Sequence, residues 1–124
     1  MNNNAKNLVD LIQSHANNLT NKKACIYLED GENKETHLTY SDLDLQARAI
    51  ATNLQQFKAD KKRVLVLLPQ GLDYINAFFG CLYANAIPIL SYPPKNNRNI
   101  ARIMAILKNA KPKFVLANQK TQDI

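Results

Sequence analysis

Apolar and polar positions follow two rhythms along the chain, and each change of rhythm marks an element. Leu8, Leu11 and Ile12 recur at helical spacing after a polar, Asn-rich start, so residues 1–20 predict a short amphipathic helix with a frayed beginning. ACIYLED and KETHLTY are two strand-like runs around Asp30-Gly31-Glu32-Asn33, a turn composition, and residues 24–39 predict a β-hairpin. Leu43, Ala47, Ile50, Leu54 and Phe57 then lay one apolar stripe along a helix, a stripe that needs a sheet to cover. Ser41 is placed to cap that helix and Asp44 to close a capping box, with Tyr40 and Leu45 as the matching staple.

Val64-Leu65-Val66-Leu67-Leu68 shows no alternation, as expected of a strand buried on both faces, and Pro69 and Gly71 stop it. Leu72, Ile75, Phe79, Leu82 and Ala86 mark the next helix, which Asn85 closes at the left-handed position. Ile87-Pro88-Ile89-Leu90 resumes as a strand, with Pro88 confined to its first residues or to a position needing no ladder donor. Ile100, Ile103, Met104 and Leu107 predict a further helix with its stripe in the core, Pro112 follows its end, and Phe114–Ala117 is a third core strand. With the hairpin at 24–39 and an α/β core over residues 41–118, this order implies an α/β fold: a β-hairpin followed by a βαβαβ doubly wound, mostly parallel sheet with right-handed crossovers.

The longest apolar stretch, AFFGCLYANAIPILSYPP at residues 77–94, could be mistaken for a membrane segment. A span needs ~20 residues of continuous helix, and Asn85, Pro88, Pro93 and Pro94 break the run first. No membrane span is expected. The start has neither an apolar signal core nor a cleavage site, so cytoplasm is the expected location.

Composition adds mostly exclusions. With 124 residues and 46% apolar content, the chain fits one globular domain. Cys25 and Cys81 each sit in an apolar run and read as buried thiols, while His15 and His37 have no partner at ligand spacing, so no metal site is expected. The net charge of +6 comes from Lys58, Lys61, Lys62 and Arg63, then Lys95, Arg98, Arg102, Lys108, Lys111 and Lys113, among others. They have no interleaved aromatics and no nucleic-acid motif, which predicts a solvated face and no nucleic-acid partner. Gly31, Gly71 and Gly80 lie too far apart for a dinucleotide fingerprint or a P-loop, and no HExxH or GxSxG occurs. Glu29, Asp30 and Glu32 read as turn residues. The residues alone therefore describe an α/β domain with no catalytic, cofactor-binding or metal residues of its own.

The run LTYSDLDLQARAIATNLQ, followed by VLVLLPQGLDYINAFFGCLYANAIPILSYPP and NRNIARIMAILKNAKPKFVLA, resembles the opening of the adenylate-forming enzymes, and most of all the fatty acyl-AMP ligases. Tyr92-Pro93-Pro94 is the discriminating piece, since ordinary acyl-CoA ligases usually lack the double proline; Asn85 stands where the family commonly has Gly. The resemblance covers residues 24–118 and implies a fragment, the first subdomain of a large N-terminal domain. It implies that the whole enzyme uses ATP and Mg²⁺ to convert a fatty acid to an acyl-adenylate, then passes the acyl group to an acyl carrier protein. The phosphate loop, ribose contact and catalytic lysine of that family fall beyond this segment, so the 124 residues alone are expected to be inactive. An acyl-CoA ligase fragment and a stand-alone small α/β binding domain are the alternatives.

Ser91, Tyr92, Pro93 and Pro94 leave the carboxyl end of a parallel strand, where ligands of open α/β sheets gather, and so form a candidate substrate-passage loop. Two prolines that simply fix a connection explain the same residues more economically. A cut subdomain should also expose apolar surface and self-associate.

Overall fold

The structure is a computed structural model describing residues 7–28, 33–91 and 97–117, the side chains of 97–99 excepted. Its elements are α1 (Leu8–Asn18), β1 (Lys23–Leu28), β2 (Glu35–Thr39), α2 (Tyr40–Gln56), β3 (Arg63–Leu67), α3 (Leu72–Tyr83), β4 (Ile87–Ser91), α4 (Asn97–Ala110) and β5 (Phe114–Ala117). β1 and β2 pair antiparallel as the expected hairpin, although its turn at 29–32 lies outside the described residues. The second sheet is parallel throughout in the order β4-β3-β5, which puts the most buried strand at its centre.

Helices lie on both faces of this sheet. Val64 and Val66 share one core cluster with Ala51 and Leu54 of α2 and with Ala77 and Cys81 of α3. Arg63 and Leu65 point to the other face by strand alternation. There the Arg63 guanidinium donates from Nη1 to the carbonyl of Ala110, the last residue of α4, at 2.8 Å. α2 and α3 therefore cover one face and α4 the other, as opposite-direction crossovers of one hand require. The doubly wound expectation is met.

Pro88 is the second residue of β4, an edge strand. The Ile87 N–H donates inward to the Lys62 carbonyl, so alternation turns the proline nitrogen outward, where no ladder donor is lost.

The start of α2 departs from expectation. Its N-cap is Thr39: Asp42 N–H donates to Thr39 Oγ1 at 3.1 Å and Thr39 N–H donates to Asp42 Oδ2 at 3.2 Å. Thr39 ends β2 in the extended conformation that an N-cap needs, so the helix begins at Tyr40, and Ser41 becomes a first-turn residue whose N–H donates to Thr20. The staple moves with the cap. Leu38 and Leu43 occupy the stapling positions and share a buried cluster with Ile12, whereas Leu45 is 63% exposed and Tyr40 tilts against the His15 ring.

The stripe on α2 also shifts: Leu43, Ala47, Ala51 and Leu54 are buried, Ile50 is half-buried, and Phe57 is 67% exposed. α2 packs on α3 as well as toward the sheet, so small residues line the contact. α3 follows the same logic. Its buried face is Asn76, Ala77, Gly80 and Cys81, while Leu72, Ile75 and Phe79 sit half-buried against the cluster around Ile12 and Leu43; Ala86 lies past the helix. A Cβ at Gly80 would fall 2.5 Å from Ile50 Cγ2, which explains the glycine.

α3 ends as expected, in a Schellman motif with Asn85 at φ 58. The Ala86 N–H donates to Cys81 at 2.9 Å and the Asn85 N–H to Leu82 at 3.0 Å. The same geometry closes α2 on Lys58, at φ 57, with Ala59 N–H donating to Leu54 and Lys58 N–H to Gln55.

The stripe of α4 is not core. Of its apolar residues only Ile103 is buried; Ile100 and Leu107 are exposed and Met104 is 60% exposed. Among the described residues α4 has its face of a three-stranded sheet to itself, with no neighbouring helix to cover its flanks. Cys25 is likewise only half-buried, whereas Cys81 is fully buried as expected.

Candidate functional site

The carboxyl ends of the three parallel strands carry the candidate site, because ligands of open α/β sheets collect there. Leu67, Ser91 and Ala117 are the last ladder residues and lie side by side in register. From Leu67 the chain turns through Pro69 and Gly71 into α3. Gly71 sits at φ 148 and ψ −169, a region open to glycine alone, and Tyr27 of the hairpin approaches within 3.9 Å of where a Cβ would stand. The hairpin thus borders this edge of the sheet.

Ser91 is 6% exposed, and its Oγ has no hydrogen-bond partner among the described residues. A buried hydroxyl in that position costs about 1–3 kcal/mol unless something satisfies it. Tyr92, Pro93 and Pro94, the rest of the proposed loop, lie outside the described residues.

A second buried polar atom escaped the sequence reading. Asn76 in α3 is buried, and its Oδ1 also has no partner among the described residues. Its one signal was an amide inside an otherwise apolar helix, YINAFFGCLY.

The other chemistry-bearing groups are structural. Burial pushes the Cys81 thiol up to about 12, so it stays protonated, and burial raises Cys25 as well. Tyr83 donates to Asp44 Oδ1 at 2.8 Å while Arg48 Nε donates to Asp44 Oδ2 at 2.8 Å, which clasps α3 to α2. Among the described residues no three His, Cys, Asp or Glu side chains converge on a metal-sized site. Nor does the start of α3 suit a nucleotide phosphate. Its N-cap offers no side chain, Gly71 is a lone glycine, and Asp73 places negative charge in the first turn.

This architecture has close counterparts. The chain is 40% identical over 114 residues to the medium-chain fatty acid acyl-carrier-protein ligase JamA of Moorena producens, covering 90% of this chain and 19% of JamA. It is 36% identical over 86 residues to the long-chain fatty acid AMP ligase FadD32 of Mycolicibacterium smegmatis, 69% of this chain and 14% of that protein. The fatty acyl-adenylate ligase of Legionella pneumophila, solved in complex with acyl adenylate and pyrophosphate, superposes with a TM-score of 0.85 at 38% identity, over 94% of this chain and 20% of that one. The chain therefore spans no more than about a fifth of the length of these relatives. No helix among the described residues is long and apolar enough to cross a membrane. Residues 12–124 match the family described as AMP-binding enzyme, and with nearly the whole chain inside that match, the protein belongs to it.

Proposed function

We propose that this chain is the opening subdomain of a fatty acyl-AMP ligase, an enzyme that spends ATP to join a fatty acid to AMP and then hands the acyl group to an acyl carrier protein. The observation that carries this reading is the 40% identity, over 90% of the chain, to a fatty acid ligase named for its carrier-protein acceptor. On this reading ATP and Mg²⁺ are held by the rest of the enzyme, in keeping with the lone Gly71 and the first-turn Asp73 at the start of α3. Within the whole protein the Ser91–Pro94 loop borders the acyl passage. Ser91 supports that role through its strand-end position and its buried hydroxyl.

Fatty-acid-dependent exchange of pyrophosphate into ATP tests the reading. The longer polypeptide encoded by the same reading frame should show exchange, and acyl transfer to a carrier protein in preference to coenzyme A. The 124 residues alone should show none above a heat-killed control; exchange from them would overturn the assignment. Replacing Tyr92 and Pro93 in the longer protein should change chain-length preference or rate, and unchanged values of both would remove the passage role while leaving the ligase reading intact.

A further inference from the structure

At the end of the parallel sheet opposite the candidate site, three connections meet. The Lys61 N–H donates to the Asn85 carbonyl, Ile87 N–H to Lys62, and Lys113 N–H to Arg63, so the α2–β3, α3–β4 and α4–β5 loops are laced together there. The first brings Lys58, Lys61 and Lys62, and Arg63 opens β3. The last turn of α4 and the loop after it bring Lys108, Lys111 and Lys113. All of these are exposed. The acid within these segments is Asp60, which already accepts from Asn85 Nδ2 at 2.7 Å. Residues that the sequence spreads over fifty-odd positions become one basic end face.

Apolar side chains stand among the cations. Phe57, exposed next to Lys58, lies against the ring of Phe114, whose chain neighbour is Lys113, with centroids 6.3 Å apart. Ile87, 49% exposed, pairs with Arg63 in the ladder.

We propose that this end face is a peripheral docking site for an anionic phospholipid bilayer, with the lysines on headgroup phosphates and Phe57 and Ile87 at the acyl boundary. Six of the seven cations are lysines. Lysine is a hydrated point charge suited to a diffuse layer of phosphates, and it is depleted from protein interfaces, which favour Arg. Base reading in nucleic acid leans on bidentate groups, and the one arginine here is engaged by Ala110. Exposed Phe and Ile set among cations form the amphipathic surface that lies on a membrane rather than across it.

The chain contains no Trp, so F57W supplies a single indole reporter. With vesicles of phosphatidylcholine and phosphatidylglycerol in equal parts, its emission should shift to the blue, and cosedimentation should weaken as salt rises. Phosphatidylcholine alone should not bind. K62Q combined with K113Q should lower partitioning on the order of thirtyfold, as two lost cations imply. K22Q combined with R102Q, equal in charge but away from the face, should lower it far less. Absence of binding to the anionic vesicles, an indole that does not shift, or equal losses in the two double variants would each overturn the proposal. So would a charge-dependent complex with an acidic protein or single-stranded DNA under conditions where the vesicles do not bind.

Discussion

One missing methyl group sets the distance between α2 and α3. A Cβ on Gly80 would meet both Cγ2 and Cβ of Ile50, the stiff part of a β-branched side chain that cannot swing away. Alanine at a helical glycine gains about 1 kcal/mol of helix propensity, but overpacking a fixed contact costs about 1–3 kcal/mol. G80A should therefore lower stability in urea unfolding, and adding I50A should cost less than the two separate effects combined. An unchanged or higher midpoint for G80A would mean that the helices are not in such close contact. Tyr83 shows the same interface in electrostatic form. Burial first, and then its bond to Asp44, raises the phenol above its ordinary value of 10. A raised folded value means that the group's contribution is complete below pH 10 and drains away as pH climbs past it. Y83F should cost about 1 kcal/mol at neutral pH through the lost hydrogen bond. The gap to the unsubstituted protein should close as titration is carried above pH 10, read from urea midpoints across that range.

Among the elements, what could be read from the chain depended on whether a local pattern had one solution or two. Thr39-Tyr-Ser-Asp42 and Ser41-Asp-Leu-Asp44 are overlapping capping boxes, and spacing cannot choose between them. The strand before them does, because Thr39 is already extended when the helix starts. T39A should cost about 1 kcal/mol of stability, while S41A should stay within about 0.5 kcal/mol, and thermal unfolding that reversed this order would restore the Ser41 cap. Strand β3 was legible because a strand covered on both sides leaves a continuous apolar run, and Asn85 was legible because Asn tolerates the left-handed region. Lys58 and Lys111 occupy that region too, at φ 57 and φ 49, but nothing in a lysine announces it. The stripes of α2 and α3 were centred on their large residues, whereas the close helix contact buries the small ones. At the candidate site the sequence located Ser91 at a strand end but could not show that its hydroxyl is sealed in; Asn76 was overlooked because one amide barely alters a helical pattern.

For the whole molecule, the two faces of the parallel sheet are unequally covered. α2 and α3 seal one, while α4 leaves Ile100, Met104 and Leu107 in water, with Val115 exposed on β5. Apolar surface of that kind on a small protein favours association, and sedimentation velocity should show the species growing with concentration. A single monomeric boundary at high concentration would argue that the exposed stripe is too broken to bind a second copy. Replacing Met104 and Leu107 with Lys should shift the boundary toward monomer without lowering the unfolding midpoint by more than about 0.5 kcal/mol, as expected at exposed positions.

The sheet also has a direction of growth. Pro88 presents no donor on the outer side of β4, so an added strand would find a gap in the ladder there. β5 is different. Val64 turns its backbone groups to β4 and is paired with Phe114, so the N–H groups of Phe114 and Leu116 point inward to β3, those of Val115 and Ala117 face outward, and Phe114–Ala117 contains no proline. A further strand, from the same polypeptide or another, would find its donors beside β5, and the amides of Val115 and Ala117 should mark that open side by exchanging with solvent while those of β3 do not.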